Sequence, residues 1–195
     1  MLLIVPIGAL LIMAEIRISN IRKELVNYSA RNAASAAATA GIENSLDTDK
    51  VRYADLIKFG RDKNGNIVSV TTDAYYLNKI GNNIGDEIDK HINQMKSYVI
   101  KIPFSVLFSE QLINGRGPKM PLVFVMTGIT TTNFSNEFTA AGVNQTHHRI
   151  MLDITVNTYI IHSGNVIVVP YSTNVCIAES IVVGITPQTF AEIIR

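Results

Sequence analysis

Gly142-Val143-Asn144-Gln145-Thr146-His147-His148-Arg149-Ile150 opens the stretch that decides the fold. Beyond it Ile150, Leu152, Ile154 and Val156 alternate with Met151, Asp153 and Thr155, Ser163-Gly164-Asn165 marks a turn, and a second β-rich run extends to Gly184. A period of two turns successive side chains to opposite faces, so this pattern places one face of a sheet in a core. Two such runs joined by a short turn are antiparallel neighbours. Upstream, residues 120–132 are apolar and β-branched, and residues 133–141 less clearly so. Downstream, residues 166–169, 175–177 and 181–183 complete a β-rich C-terminal half, with Pro170 predicted at a bulge or sheet edge and Gly184 and Pro187 ending the run. No helical stretch separates these segments, which favours long antiparallel strands over βαβ units.

The N-terminal part is helical in pattern. Residues 1–13 are unbroken apolar, and Glu15 stops the run short of the ~20 residues a full span requires. It lacks the basic segment and small-residue cleavage site of a secretory signal, and reads as a membrane anchor whose cytoplasmic start lies further upstream. Arg17, Arg22 and Lys23 follow it, so a simple positive-inside count would keep the rest of the chain cytoplasmic. Ile18, Ile21 and Leu25 then fall at helical spacing, and an alanine-rich segment predicts one continuous helix to about Ala40, ended by Gly41. Its small face, Ala30, Ala33, Ala34, Ala37 and Ala38, suits close packing either on the protein's own sheet or between protomers.

In the middle of the chain, Leu56-Ile57-Lys58-Phe59 and Ile67-Val68-Ser69-Val70 flank Asn64-Gly65, a pair that supplies the positive φ angles of a tight hairpin turn. Asp73 is placed to cap a helix in which Leu77, Ile80, Ile84, Ile88, His91 or Ile92, and Met95 form one face. Gly81 and Gly85 weaken that helix by up to about 1 kcal/mol each relative to alanine, so it must depend on tertiary packing. A short β run at residues 98–102 and a loop around Gly115-Arg116-Gly117-Pro118 precede the C-terminal strands.

With 195 residues, 47% of them hydrophobic, the chain can carry one well-cored domain plus a membrane or docking element. Seventeen Lys and Arg against sixteen Asp and Glu leave a formal charge of +1, so bulk charge draws in neither nucleic acid nor an acidic substrate. Cys176 stands alone, which excludes an internal disulfide framework and any cysteine-rich zinc module, and its place in a β run predicts a small buried hydrophobe. His147 and His148 are neighbours on a strand and face opposite ways, so they read as a hydrogen-bonded pair at a strand start and not as joint ligands of one metal. The glycine loop at Gly115 does not follow a strand and open a helix, and lacks the Lys-Ser or Lys-Thr of a phosphate cradle. Asp47, Asp49, Asp86, Glu87 and Asp89 lie beside basic residues and read as solvated surface, with no pair placed as general acid and base.

Asn144-Gln145-Thr146-His147-His148-Arg149-Ile150, preceded by Gly142-Val143, and the closing run Ala178-Glu179-Ser180-Ile181-Val182-Val183-Gly184-Ile185-Thr186-Pro187 resemble the sporulation protein YunB family of endospore-forming Firmicutes. Ile102-Pro103, Gly115-Arg116-Gly117-Pro118 and the alanine-rich stem ending in Gly41-Ile42 stand where that family's pattern expects them. The resemblance runs from about Ile16 onward. It implies a single-pass protein of the mother-cell membrane, made during sporulation, with its C-terminal domain outside the mother-cell cytoplasm. It brings no enzymatic activity. Gly142, Gly184 and Pro187 are then turn formers, and Asn144 and Thr146 satisfy backbone groups at a strand start.

The expected architecture is α+β: an apolar and alanine-rich N-terminal helix over residues 1–41, then a single domain over residues 42–195 made of a hairpin, an amphipathic helix and a mainly antiparallel C-terminal sheet. The expected role is a non-enzymatic one in the spore envelope, through contact with a protein partner or a second copy, with the membrane engaged by the N-terminal helix. No residue is assigned as catalytic, cofactor-binding or metal-ligating, and no cofactor, nucleic acid or small-molecule substrate is expected. A pilin-like assembly subunit shares the outline of apolar helix, amphipathic stem and β-rich head. A cell-wall enzyme with residues gathered from separate loops is the other alternative.

Overall fold

The computed structural model describes residues 4–49, 51–95, 98–103, 118–162 and 165–183. In chain order the elements are α1 (Ile4–Asp49), α2 (Tyr53–Leu56), β1 (Ile57–Arg61), β2 (Ile67–Thr72), α3 (Ala74–Gln94), β3 (Tyr98–Pro103), β4 (Lys119–Gly142), β5 (Gln145–His162) and β6 (Asn165–Val183). Strands β1 and β2 form a hairpin, and β3-β4-β5-β6 form a second sheet in that order. The protein is α+β. Ser163 and Gly164 of the predicted turn, the glycine loop at residues 115–117, and Gly184 and Pro187 lie outside the described residues. Pro170 falls on β6, at the end of the strand order, and an edge strand is where a sheet tolerates proline. Strand β4 runs unbroken for 24 residues, through the 133–141 segment whose own pattern is weak.

Packing divides the chain into two compact units, each built from segments distant in sequence. The first comprises Met1–Ala37, Asp89–Ile129 and Val156–Tyr171. Its core sets Val26, Ala30 and Ala33 of α1 against Leu122, Phe124 and Met126 of β4, Ile160 of β5 and Val169 of β6. The helix positions recur at i, i+4 and i+7, which places them on one face, and the strand positions alternate. Alanine contributes little apolar area of its own; its value is that a methyl group lets the helix backbone come close to the larger strand side chains. Strands β3 and β4 are antiparallel here, from Tyr98 opposite Phe124 to Pro103 opposite Lys119. Asn93, near the end of α3, accepts hydrogen bonds at Oδ1 from the Thr127 hydroxyl at 2.7 Å and the Gly128 amide at 3.3 Å. A side chain at Gly128 would begin 2.8 Å from Ile92 Cδ1, so the glycine makes room for the helix.

The second unit comprises Ala38–Ile88, Thr130–Thr155 and Ser172–Arg195. Leu56, Leu77, Ile80, Ile84 and Ile88 are buried in it together with Ile150, Leu152 and Ile154. The hairpin turn is closed by Asp62, whose Oδ1 accepts from the Asn64 and Asn66 amides at 2.9 and 2.8 Å, while Gly65 takes a φ of 86°. Asp73 caps α3 as the sequence predicts, accepting the Tyr76 amide at 3.1 Å.

The alanine-rich face is buried within the chain itself: Ala30, Ala33, Ala34, Ala37 and Ala38 are each at most 6% exposed. Helix α1 does not stop at Gly41 as its composition suggests; it continues to Asp49. A glycine can mark a helix end or a close approach, and here it marks the second. A Cβ on Gly41 would lie 2.5 Å from Ile88 Cγ1 and 3.1 Å from the Ile88 backbone nitrogen. Among the described residues no helix is long and apolar enough to cross a membrane, which says nothing of membrane crossing by strands.

These two kinds of helical glycine separate in a paired test. Gly85→Ala meets nothing nearer than 4.0 Å, and should stabilise the protein by up to about 1 kcal/mol through helix propensity. Gly41→Ala gains the same propensity but collides with Ile88, and should destabilise the protein by roughly 1–3 kcal/mol. Urea denaturation of both variants checks this, and a stabilised Gly41→Ala would contradict the close approach of α1 and α3.

Candidate functional site

The β4–β5 turn fixes the start of the site. Gly142 at φ 153° and Asn144 at φ 59° adopt backbone conformations that ordinary residues avoid, and the chain reverses between Gly142 and Gln145. Alternation along β5 then turns His147 outward and His148 inward. The His147 Nε2 lies 3.1 Å from Glu179 Oε2 on β6, in a partly exposed hydrogen bond. Beside it Arg149 pairs with Glu137 of β4 at 3.1 Å.

His148 is fully buried. Its Nε2 lies 3.0 Å from Asn136 Oδ1, and its Nδ1 lies 2.7 Å from the Tyr53 hydroxyl. With Asn136 Oδ1 as acceptor, Nε2 carries the proton and Nδ1 accepts from Tyr53. The imidazole stacks on Phe138 at 4.4 Å with 6° between planes, and Tyr53 meets it edge-on at 5.8 Å. Tyr53 is delivered by α2, whose start is closed by Asp55 Oδ2 accepting the Arg52 amide at 3.3 Å. The Tyr53 hydroxyl also bonds to Ser180 of β6. The chain Ser180–Tyr53–His148–Asn136 thus ties α2, β4, β5 and β6 together.

Burial sets the protonation of this cluster. Desolvation lowers the His148 pKa below the ordinary histidine value and keeps the ring neutral. Desolvation also raises the Tyr53 pKa, against which its bond to Ser180 works in the opposite direction. Tyr53 and Asn136 occupy the two imidazole nitrogens, which leaves neither as a base for a serine nucleophile. What the cluster does is satisfy every polar group of a buried imidazole and fix the relative placement of its four elements.

Both histidines are hydrogen-bonded at a strand start, in line with the sequence reading, and they face apart. Cys176 departs from it, being exposed. The alternation on β6 puts it with Ser172 and Asn174 on the open side, and composition alone does not reveal which phase a strand takes. Asp47 and Asp86 are exposed, while Glu87 and Asp89 are half-buried. Tyr53, Asn136 and Phe138 lie outside both sequence motifs. Ser180 and Glu179 belong to the second motif, and the structure brings that motif onto the first. Tyr53, 95 residues from His148, carried no local signal.

An α+β protein whose two distinctive C-terminal motifs meet in one hydrogen-bonded cluster is the class that fold and site define. Residues 99–189 match the family model for sporulation protein YunB. The chain is also 23% identical to the sporulation protein YunB of Bacillus subtilis (strain 168), over 78% of this chain and 65% of that protein. No solved structure matches it. Over those residues the chain is similar to the sporulation protein YunB family. It spans just under two thirds of the length of the relative it matches.

Tyr53→Phe leaves a buried imidazole nitrogen without its donor and should cost about 1–3 kcal/mol. The folded-state pKa of His148 lies below its unfolded value of about 6.5. Its contribution to stability is therefore complete above that pH and is lost as pH falls through the unfolded value toward the folded one. Denaturation midpoints between about pH 7.5 and 5 should fall in the wild type and change less in His148→Gln; equal slopes would contradict this assignment.

Proposed function

We propose that this protein acts in sporulation by contact and not by turnover: a non-enzymatic component of the spore envelope, held at the mother-cell membrane by the apolar start of α1, with the remainder outside the mother-cell cytoplasm. The observation that carries the reading is the use made of the two motifs. His148, Tyr53, Asn136 and Ser180 direct their polar atoms at one another inside the fold, so the motif residues hold a scaffold whose surface is left to bind. Membrane attachment is supported by the unbroken apolar run of residues 1–13.

A pilin-like assembly subunit is the second reading, favoured by one feature: α1 extends 46 residues from that apolar run into an alanine face packed on an antiparallel sheet. The mass of the N-terminal peptide from membrane-extracted protein separates the two, since a pilin-like subunit is cleaved just before its apolar run.

The test is made in the source organism with the whole gene product. Full-length protein should sediment with membranes, and deletion of residues 2–16 should release it and lower the yield of heat-resistant spores. Full-length protein in the soluble fraction would overturn the anchor, and normal sporulation in a strain lacking the gene would overturn the role.

A further inference from the structure

The Ser180–Tyr53–His148–Asn136 chain has a direction. In the neutral ring Nε2 donates to Asn136 Oδ1, and Nδ1 accepts the proton of the Tyr53 hydroxyl. The bond from Ser180 lowers the Tyr53 pKa, as a bond donated to a phenol oxygen does, so Ser180 donates to Tyr53 and Tyr53 donates to His148. An imidazolium donates from both nitrogens. A proton on Nδ1 therefore meets the Tyr53 hydroxyl proton head-on, and the phenol can turn its proton aside only toward Ser180, whose own proton points back at it.

The surroundings offer no partner for the added charge. His148 is fully buried, with Phe138 stacked on it and Tyr53 edge-on. The charged groups on the elements packed against it are engaged elsewhere: Glu137 of β4 with Arg149 of β5, Glu179 of β6 with His147 of β5, and Asp55 of α2 with Arg52. A buried cation without a counter-charge is relieved by letting water in. Strands β4, β5 and β6 are neighbours in one hydrogen-bonded sheet, whereas Tyr53 is the first residue of a four-residue helix. The far end of that helix is fixed, since Leu56 is fully buried and its carbonyl accepts the Asp73 amide at 3.0 Å. Its near end is held by the Tyr53 hydroxyl beside the exposed Arg52–Asp55 pair.

We propose that the Tyr53–His148 bond is a proton-operated latch: a proton taken from solvent onto Nδ1 of His148 releases Tyr53 and lifts the start of α2 from the sheet about Leu56, while the strands stay paired. The solvated ring of the open form has the ordinary histidine value of about 6.5, and the closed ring lies below it. The latch is therefore shut above that pH. Between the two values each unit of added acid multiplies the ratio of open to closed protein by up to about ten. The opening is confined to one segment, and it uncovers His148 and the face of Phe138 against which the imidazole lies.

Hydroxyl-radical footprinting of the full-length protein, read by mass spectrometry between pH 7.5 and 5.5, tests this. Tyr53 reports the latch, because its phenol does not titrate in that range, while Leu152 and Met126, both buried, report the two cores. The expected result is labelling of Tyr53 that rises several-fold toward pH 5.5 with Leu152 and Met126 unchanged, and that stays flat in His148→Gln, whose amide keeps both hydrogen-bonding roles and takes up no proton. Tyr53→Phe lacks the latch hydroxyl, so position 53 should be labelled at pH 7.5 as strongly as in the wild type at pH 5.5. Flat labelling of Tyr53 in the wild type would overturn the proposal, as would a rise shared by Leu152 or Met126 or an equal rise in His148→Gln. Should His148→Gln fail to fold, Tyr53→Phe still decides: protection of position 53 at pH 7.5 equal to that of the wild type would mean that the hydroxyl holds nothing.

Discussion

The close approach of α1 to the inner face of the sheet is the contact on which the first unit depends. Ala30 and Ala33 present only methyl groups, so the helix backbone settles onto Leu122, Phe124, Met126 and Ile160 and leaves little room for anything larger. Small residues recur wherever elements meet closely in this chain. Gly128 admits Ile92 in the first unit, and Gly41 admits Ile88 in the second. Alanine and glycine here are spacing devices, and their low bulk makes α1 part of a core as well as a route from the apolar N-terminal run.

That dual role explains where the sequence was readable. Period-two alternation from Ile150 to Val156 marks β5, Asn64-Gly65 marks the hairpin, and Asp73 marks the start of α3, because each is a local rule acting on adjacent residues. Gly41 was misleading for the opposite reason. Its local meaning, helix termination, lost to a contact with Ile88 that lies 47 positions away in the sequence. Cys176 shows the same limit on a strand, since the phase of alternation on β6 is decided by which face meets the core.

The cluster around His148 was half legible. The histidine pair and the Glu179-Ser180 run stand out as motifs, and the opposite orientation of His147 and His148 follows from strand geometry. Their meeting, and the arrival of Tyr53 from α2, depend on how the strands lie beside one another, which no spacing rule conveys. Once assembled, the cluster ties the histidine motif and the Glu179-Ser180 run to the integrity of the fold. A buried neutral imidazole with both nitrogens bonded is a pin that holds Tyr53 of α2 and Asn136 of β4 to β5.

The central claim is that these motif residues serve the fold and that the folded surface serves sporulation. Ser180→Ala is the most direct probe, because it removes the hydroxyl at the outer end of the Ser180–Tyr53–His148 chain and leaves the inner bonds in place. Melting temperature of the purified full-length variant and heat-resistant spore yield of the matching strain are measured together. If the motif is structural, spore yield follows the fraction of folded protein and stays near the wild-type level wherever the melting temperature does. A Ser180→Ala protein that melts like the wild type and yet abolishes sporulation would contradict the claim and make Ser180 a reactive or ligand-binding group.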